Sequence, residues 1–164
     1  MPRTLLLKPE VKSLLDEVAG QELYASHLYT YLAAKMQGIG MFGAQAFYER
    51  ESAEELTHFA LLRDYVNDMG GVIAVPQVNA IDDPIFSISE ALLLSEETEI
   101  MLMRKYVSVY ESVEDEMEDC VTAQFLLQFI EIQRKAVGLY GDLRARLSLN
   151  PSDLLEFDEY LSEK

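Results

Sequence analysis

Cysteine occurs once in the 164 residues, at Cys120, so no disulfide can close within the chain. A lone thiol suits a reducing compartment, and the expected location is cytoplasmic. Basic clusters are missing as well: acidic residues outnumber basic ones 29 to 13, for a formal charge of -16. That balance disfavours binding to nucleic acid or an anionic membrane surface through a basic patch. No apolar run is long enough to span a bilayer. The leucines of Met1 to Leu7 stop at Lys8-Pro9, too few for the core of a signal peptide. Internal repeats, low-complexity tracts and linkers are also absent, so a single domain over residues 1–164 is expected. A chain of this size with 49% hydrophobic residues is large enough to bury about two thirds of its unfolded surface. Its acidity has two readings, a solvated surface that keeps the protein in solution or a role in handling cations.

What is present is helical periodicity. Val11, Leu15, Val18, Glu22, Ala25, Tyr29, Leu32 and Met36 step by four and three without a break, predicting a helix of about 28 residues from Pro9 to the glycines Gly38 and Gly40. A second face runs through Ala44, Tyr48, Glu51, Glu55, His58, Leu62, Tyr65 and Met69, closed by Gly70-Gly71. From Val72 to Phe86 the period is lost and Pro76, Asp82, Asp83 and Pro84 intervene. A connection this long fits a crossover between parallel helices of a bundle. Ser87-Ile88-Ser89-Glu90 then reads as a capping box for a third face: Leu92, Ser95, Glu99, Leu102, Tyr106, Val109 and Val113. The acidic run Glu114 to Asp119 is expected to form a solvated turn. Leu126, Phe129, Gln133, Ala136, Tyr140, Leu143 and Leu147 make the fourth face. Asn150 as cap with Pro151 at the first helical position predicts a short fifth helix carrying Leu154, Leu155, Phe157 and Leu161.

The expected fold is therefore all-α, a four-helix bundle with a long crossover between helices 2 and 3 and a short C-terminal helix. Each long stripe is broken by a polar residue near its middle: Glu22, Glu55 with His58, Glu99 and Gln133. In helices of similar length these side chains fall at comparable depth and can converge. A buried carboxylate is expensive unless a proton, a basic partner or a metal compensates it, and none of the four stripes contains Lys or Arg. Carboxylates with imidazole suit iron, manganese or zinc, while the lack of a Cys cluster argues against iron–sulfur and structural zinc sites. Three carboxylates and one histidine can hold two divalent ions, with Glu55 the best candidate to bridge them. Singly, each residue also has an ordinary reading as a hydrogen-bonded core side chain.

Glu22-Leu23-Tyr24-Ala25-Ser26 with Tyr29, Glu54-Glu55-Leu56-Thr57-His58, Gly70-Gly71, Glu99 and Gln133 resemble, in order and spacing, the ferroxidase pattern of the ferritins. The resemblance covers nearly the whole chain. It implies a first iron held by Glu22, Glu55 and His58 and a second by Glu55, Glu99 and Gln133, with Tyr29 beside them as a redox-active or hydrogen-bonding residue. It further implies iron storage and detoxification: Fe(II) oxidised by dioxygen or hydrogen peroxide and kept as mineral inside a hollow homo-oligomeric shell of twenty-four subunits. The fifth helix would contribute to contacts between subunits.

Departures from related patterns narrow this. The haem-binding bacterioferritins carry a second Glu-x-x-His on the fourth helix, where this chain reads Gln133-Arg134-Lys135-Ala136, and a haem-binding methionine where it has Leu56. A haem-free protein with an asymmetric site is expected. Ile132, Lys135 and Ala136 replace the glutamates of a third iron position. Ala123 and Leu126 stand where the three-fold entrance channel of animal ferritins has carboxylates. Glu51 and Glu54 are candidates for an iron transit path, and His27, off the stripe, is expected to be structural. The alternatives are a shell subunit that only stores mineral, a twelve-subunit DNA-protecting mini-ferritin, and a rubrerythrin-type electron carrier, whose Cys-x-x-Cys module is missing.

Overall fold

Four long stripes become four long helices. The computed structural model describes residues 4–164, so of the N-terminal segment considered above Met1 to Arg3 lie outside the described residues. The helices are α1 (Pro9–Gly38), α2 (Phe42–Asp68), α3 (Ile88–Glu111), α4 (Cys120–Leu149) and α5 (Leu154–Ser162), with no strand among the described residues. Pro9 sits in the first turn of α1, where its missing N–H is no loss. At the start of α3 the expected capping box forms in a shifted version. Glu90 N donates to Ser87 Oγ at 3.3 Å, while the Glu90 carboxylate reaches back to Phe86 N at 2.8 Å.

Two apolar clusters fill the bundle, one at each end. On α1 the change of cluster falls between Ala19 and Ala25, on α2 between Tyr48 and Leu62, and on α4 between Phe129 and Tyr140. The polar interruptions occupy that boundary. Read along the chain, α1 and α4 run from the cluster of Leu15, Leu62, Tyr106 and Phe129 to the cluster of Tyr29, Tyr48, Leu92 and Tyr140, whereas α2 and α3 both run the other way. Parallel α2 and α3 require the crossover, which the structure places at residues 71–86. It is pinned by buried Ile73 and Ile85, by Ala74 N donating to Asp16 Oδ1 at 2.9 Å, and by the Tyr31 hydroxyl donating to Asp83 O at 2.5 Å.

Three expectations of local structure need correction. The acidic run does not form a simple turn: Ser112–Glu116 continues α3 as a π-helical turn because Val113, fully buried, keeps the chain against the core. Its last member, Asp119, caps α4 by accepting from Thr122 N at 3.0 Å. Asn150 and Pro151 do not start α5. They lie in the turn that ends α4, and Asp153 is the cap, accepting from Glu156 N at 3.1 Å. Of the four apolar residues assigned to that helix, Phe157 and Leu161 are buried, while Leu154 and Leu155 face outward.

Helix α5 packs on α2. Asp158 accepts from the N–H groups of Gly43 and Ala44 at 3.0 and 2.7 Å, placing a carboxylate on orphan donors at the positive end of α2. Only glycine fits at Gly43, since a Cβ there would lie 1.9 Å from the Asp158 carbonyl oxygen.

Candidate metal centre

Between the two apolar clusters, Glu22 of α1, Glu55 and His58 of α2, Glu99 of α3 and Gln133 of α4 are all buried. Glu22, Glu55 and His58 each offer a ligand atom, and these atoms lie within 4.8 Å of one another. His58 Nδ1 is 2.9 Å from Glu55 Oε2 and 3.7 Å from Glu22 Oε2. The spacing of three residues puts Glu55 and His58 on one face of α2, as the periodicity requires. Phe129 of α4 stands edge-on to the His58 ring at 6.4 Å and closes the site on that side.

The hydrogen bonds that hold the carboxylates come from tyrosines. Tyr106 donates to Glu22 Oε1, and Tyr29 donates to Glu99 Oε1. Each fixes one oxygen and leaves the other: Glu22 Oε2 and Glu99 Oε2 are buried with no hydrogen-bond partner. Gln133 is more extreme, since both amide atoms are buried and unpartnered. A buried polar atom without a partner costs about 1–3 kcal/mol. Four such atoms fall in one layer, and three of them are oxygens that a bound cation would satisfy.

The electrostatics agree. Burial pushes the Glu55 carboxyl up to about 9, with Glu22 adding to the rise against the lowering by His58. Burial raises Glu99 to about 7, partly offset by the Tyr29 hydroxyl, and Glu22 adds to the rise. For His58 burial lowers the value, but Glu22 and Glu55 outweigh it and lift the imidazole to about 10. The phenols of Tyr29 and Tyr106 are raised by burial and then by Glu99 and Glu22 respectively. The hydrogen-bonded Glu55–His58 pair thus holds a proton at neutral pH that a metal ion bound there would have to displace.

The structure brings Glu22, Glu55 and His58 together and sets Glu99 within their electrostatic reach. Gln133 lies buried on α4 one turn beyond Phe129. Tyr29 borders the centre through Glu99 and stacks between Tyr48 and Tyr140, with ring centroids at 5.9 and 6.0 Å. Glu51 is half-buried and accepts from the Tyr140 hydroxyl at 2.9 Å, whereas Glu54 and His27 are exposed. Ala123 and Leu126 are buried in the bundle, so neither lines a surface channel of this chain. Tyr106 and Tyr140 stand on the third and fourth stripes, and their bonds to Glu22 and Glu51 were not foreseen from the sequence. The signal was there: a buried tyrosine needs a partner for its hydroxyl, and both fall on stripes that meet carboxylates.

Comparison with known proteins places this arrangement. Residues 12–149 match the Ferritin family profile, described as the ferritin-like domain. The chain is 30% identical over 146 residues to the bacterial non-heme ferritin of Escherichia coli, covering 88% of this chain and 87% of that one. It is 24% identical over 148 residues to a probable bacterial non-heme ferritin-like protein of Haemophilus influenzae, covering 90% and 89%. In fold it is similar to the open pore ferritin of the hyperthermophilic archaeon Archaeoglobus fulgidus, with a TM-score of 0.93, 23% identity and coverage of 98% and 99%.

Proposed function

We propose that this chain, which belongs to the ferritin family, oxidises Fe(II) to Fe(III) at the centre between its four long helices and passes the product to a stored mineral. Iron is substrate and cargo here, two ions per subunit, with no haem. Glu22, Glu55 and His58 receive the first ion. Glu55, shared, with Glu99 and Gln133 receives the second. Each Fe(II) gives up one electron. Dioxygen takes both with two protons to become hydrogen peroxide, or hydrogen peroxide takes both with two protons to become two water molecules. The carboxylates supply hard oxygen donors that favour Fe(III). The neutral Gln133 makes the second position weaker, so product can leave. Tyr29 keeps the free oxygen of Glu99 aimed into the centre and is the redox-active candidate beside it.

The observation that carries this reading is the buried set of three mutually close donors beside unpartnered Glu99 and Gln133 atoms. The wider reading is one ferritin-like domain over the whole chain, assembled as a cytoplasmic homo-oligomer of twenty-four subunits. Glu51 and Glu54 stand on the path of incoming iron. Stopped-flow oxidation of Fe(II) by the assembled protein tests the activity. Alanine at Glu22, Glu55 or His58 is expected to abolish the rapid phase, and unchanged initial rates would leave only a passive storage shell. Light scattering separates the twenty-four-subunit shell from a twelve-subunit one.

A further inference from the structure

Glu51 stands one helical turn before Glu55 on α2, and the ligand sets above do not use it. Its Oε2 is held at 2.9 Å by the hydroxyl of Tyr140, a fully buried residue of α4. The Tyr140 ring stacks on Tyr29 at 6.0 Å, and Tyr29 donates to Glu99. Glu51 therefore ends on the same tyrosine pair that reaches the second metal position from the other side.

That position is short of negative charge. Glu22, Glu55 and Glu99 set three negative charges against the four positive charges of two Fe(II), and against six after oxidation. Gln133 adds a donor but no charge. Glu99 Oε2 and both Gln133 amide atoms, all buried, have no partner. The carboxylate able to supply the missing charge from the same helix face is Glu51.

We propose that Glu51 is an additional, movable ligand of the second metal position, held aside by the Tyr140 hydroxyl until an ion arrives, with Tyr140 as its positioning residue. The proposal rests on the two-metal reading of the centre. Arrival of the ion exchanges the Tyr140 hydrogen bond for a metal–oxygen contact. A carboxylate that alternates between phenol and metal gives the second position a donor that can be withdrawn when product leaves.

Anaerobic titration of the assembled apo-protein with Co(II), followed by its visible absorption, tests this without turnover. Wild-type protein is expected to take two ions per chain. Glu51→Gln keeps the size of the side chain and a hydrogen-bond acceptor for Tyr140. It should weaken the second ion about 10- to 100-fold and leave the first unchanged. Tyr140→Phe keeps the ring and removes only the latch, so the second ion should bind about tenfold tighter. A purely structural Glu51–Tyr140 pair predicts that neither change singles out the second ion. Two ions whose second is indifferent to Glu51→Gln, or is weakened by Tyr140→Phe, would overturn the proposal. Wild-type protein that takes up no Co(II) would instead strike the two-metal reading on which it rests.

Discussion

The α1–α2 half of the centre and the α3–α4 half differ in what satisfies them before metal arrives. In the first, Glu22 is held by Tyr106 and Glu55 by His58, and the imidazole sits between two carboxylates. In the second, Glu99 has one oxygen bound by Tyr29 and one free, and Gln133 has nothing. Glu22 and Glu99 are alike in keeping one free oxygen each, so the halves differ at His58 and Gln133: the imidazole joins the carboxylates of the first half, while the Gln133 amide has no partner in the second. Such a division suits a centre in which one ion is held firmly and the other passes through.

The largest effect expected is from Glu55→Ala. As the shared ligand it should cost more than 100-fold in affinity for both ions, while His58→Ala weakens the first alone and Glu99→Ala the second alone; calorimetric titration with Zn(II) reads all three. Equal losses from His58→Ala and Glu99→Ala would erase the distinction between the halves.

Acidity gives the next test. Glu55 and His58, hydrogen-bonded to each other, are both raised and together hold a proton at pH 7 that a bound ion would have to release. Zn(II) affinity should therefore rise with pH through the neutral range, and titration in buffers of different ionisation enthalpy should show protons leaving. The sign for the metal-free protein is opposite. Both groups carry folded values above their unfolded ones, so the folded state binds the extra protons. Stability falls as pH rises from about 4.3 towards about 9 for Glu55, and from about 6.5 towards about 10 for His58. Thermal melts of apo-protein at pH 6 and pH 9 should show the loss, and Zn(II) should reverse it.

Gln133→Leu sharpens the comparison from the unsatisfied side. Removing two buried orphan atoms should stabilise the apo-protein by about 1–2 kcal/mol in denaturant melts, while the second ion binds more weakly. Stabilisation together with lost binding marks a residue kept for its ligand. The smallest effect is remote. Asp158→Asn, at the contact of α5 with the start of α2, should cost about 0.5–1 kcal/mol of stability and leave Zn(II) affinity unchanged.

The four long helices and the polar layer were legible in the sequence because each follows from a repeated period, and the crossover because the period stops from Val72 to Phe86. Thirty residues of α1 show one stripe, and Glu22 stands out in it. Local stops were less legible, since they depend on tertiary partners. Asp153 prevails over Asn150 as the cap of α5 through its bond to Glu156 N, and the acidic run bends into a π turn because Val113 is drawn into the core. In the centre, the residue types on the stripes could be read, but not which oxygen each tyrosine would hold. Glu51 and Tyr140 lie 89 residues apart, and no period links them.

The most direct measurement is an anaerobic Fe(II) soak followed by structure determination with anomalous scattering at the iron edge. The expected result is two irons per chain, one bound by Glu22, Glu55 and His58 and one by Glu55, Glu99 and Gln133. Iron absent from that layer, or held without Glu55, would contradict the assignment of the centre.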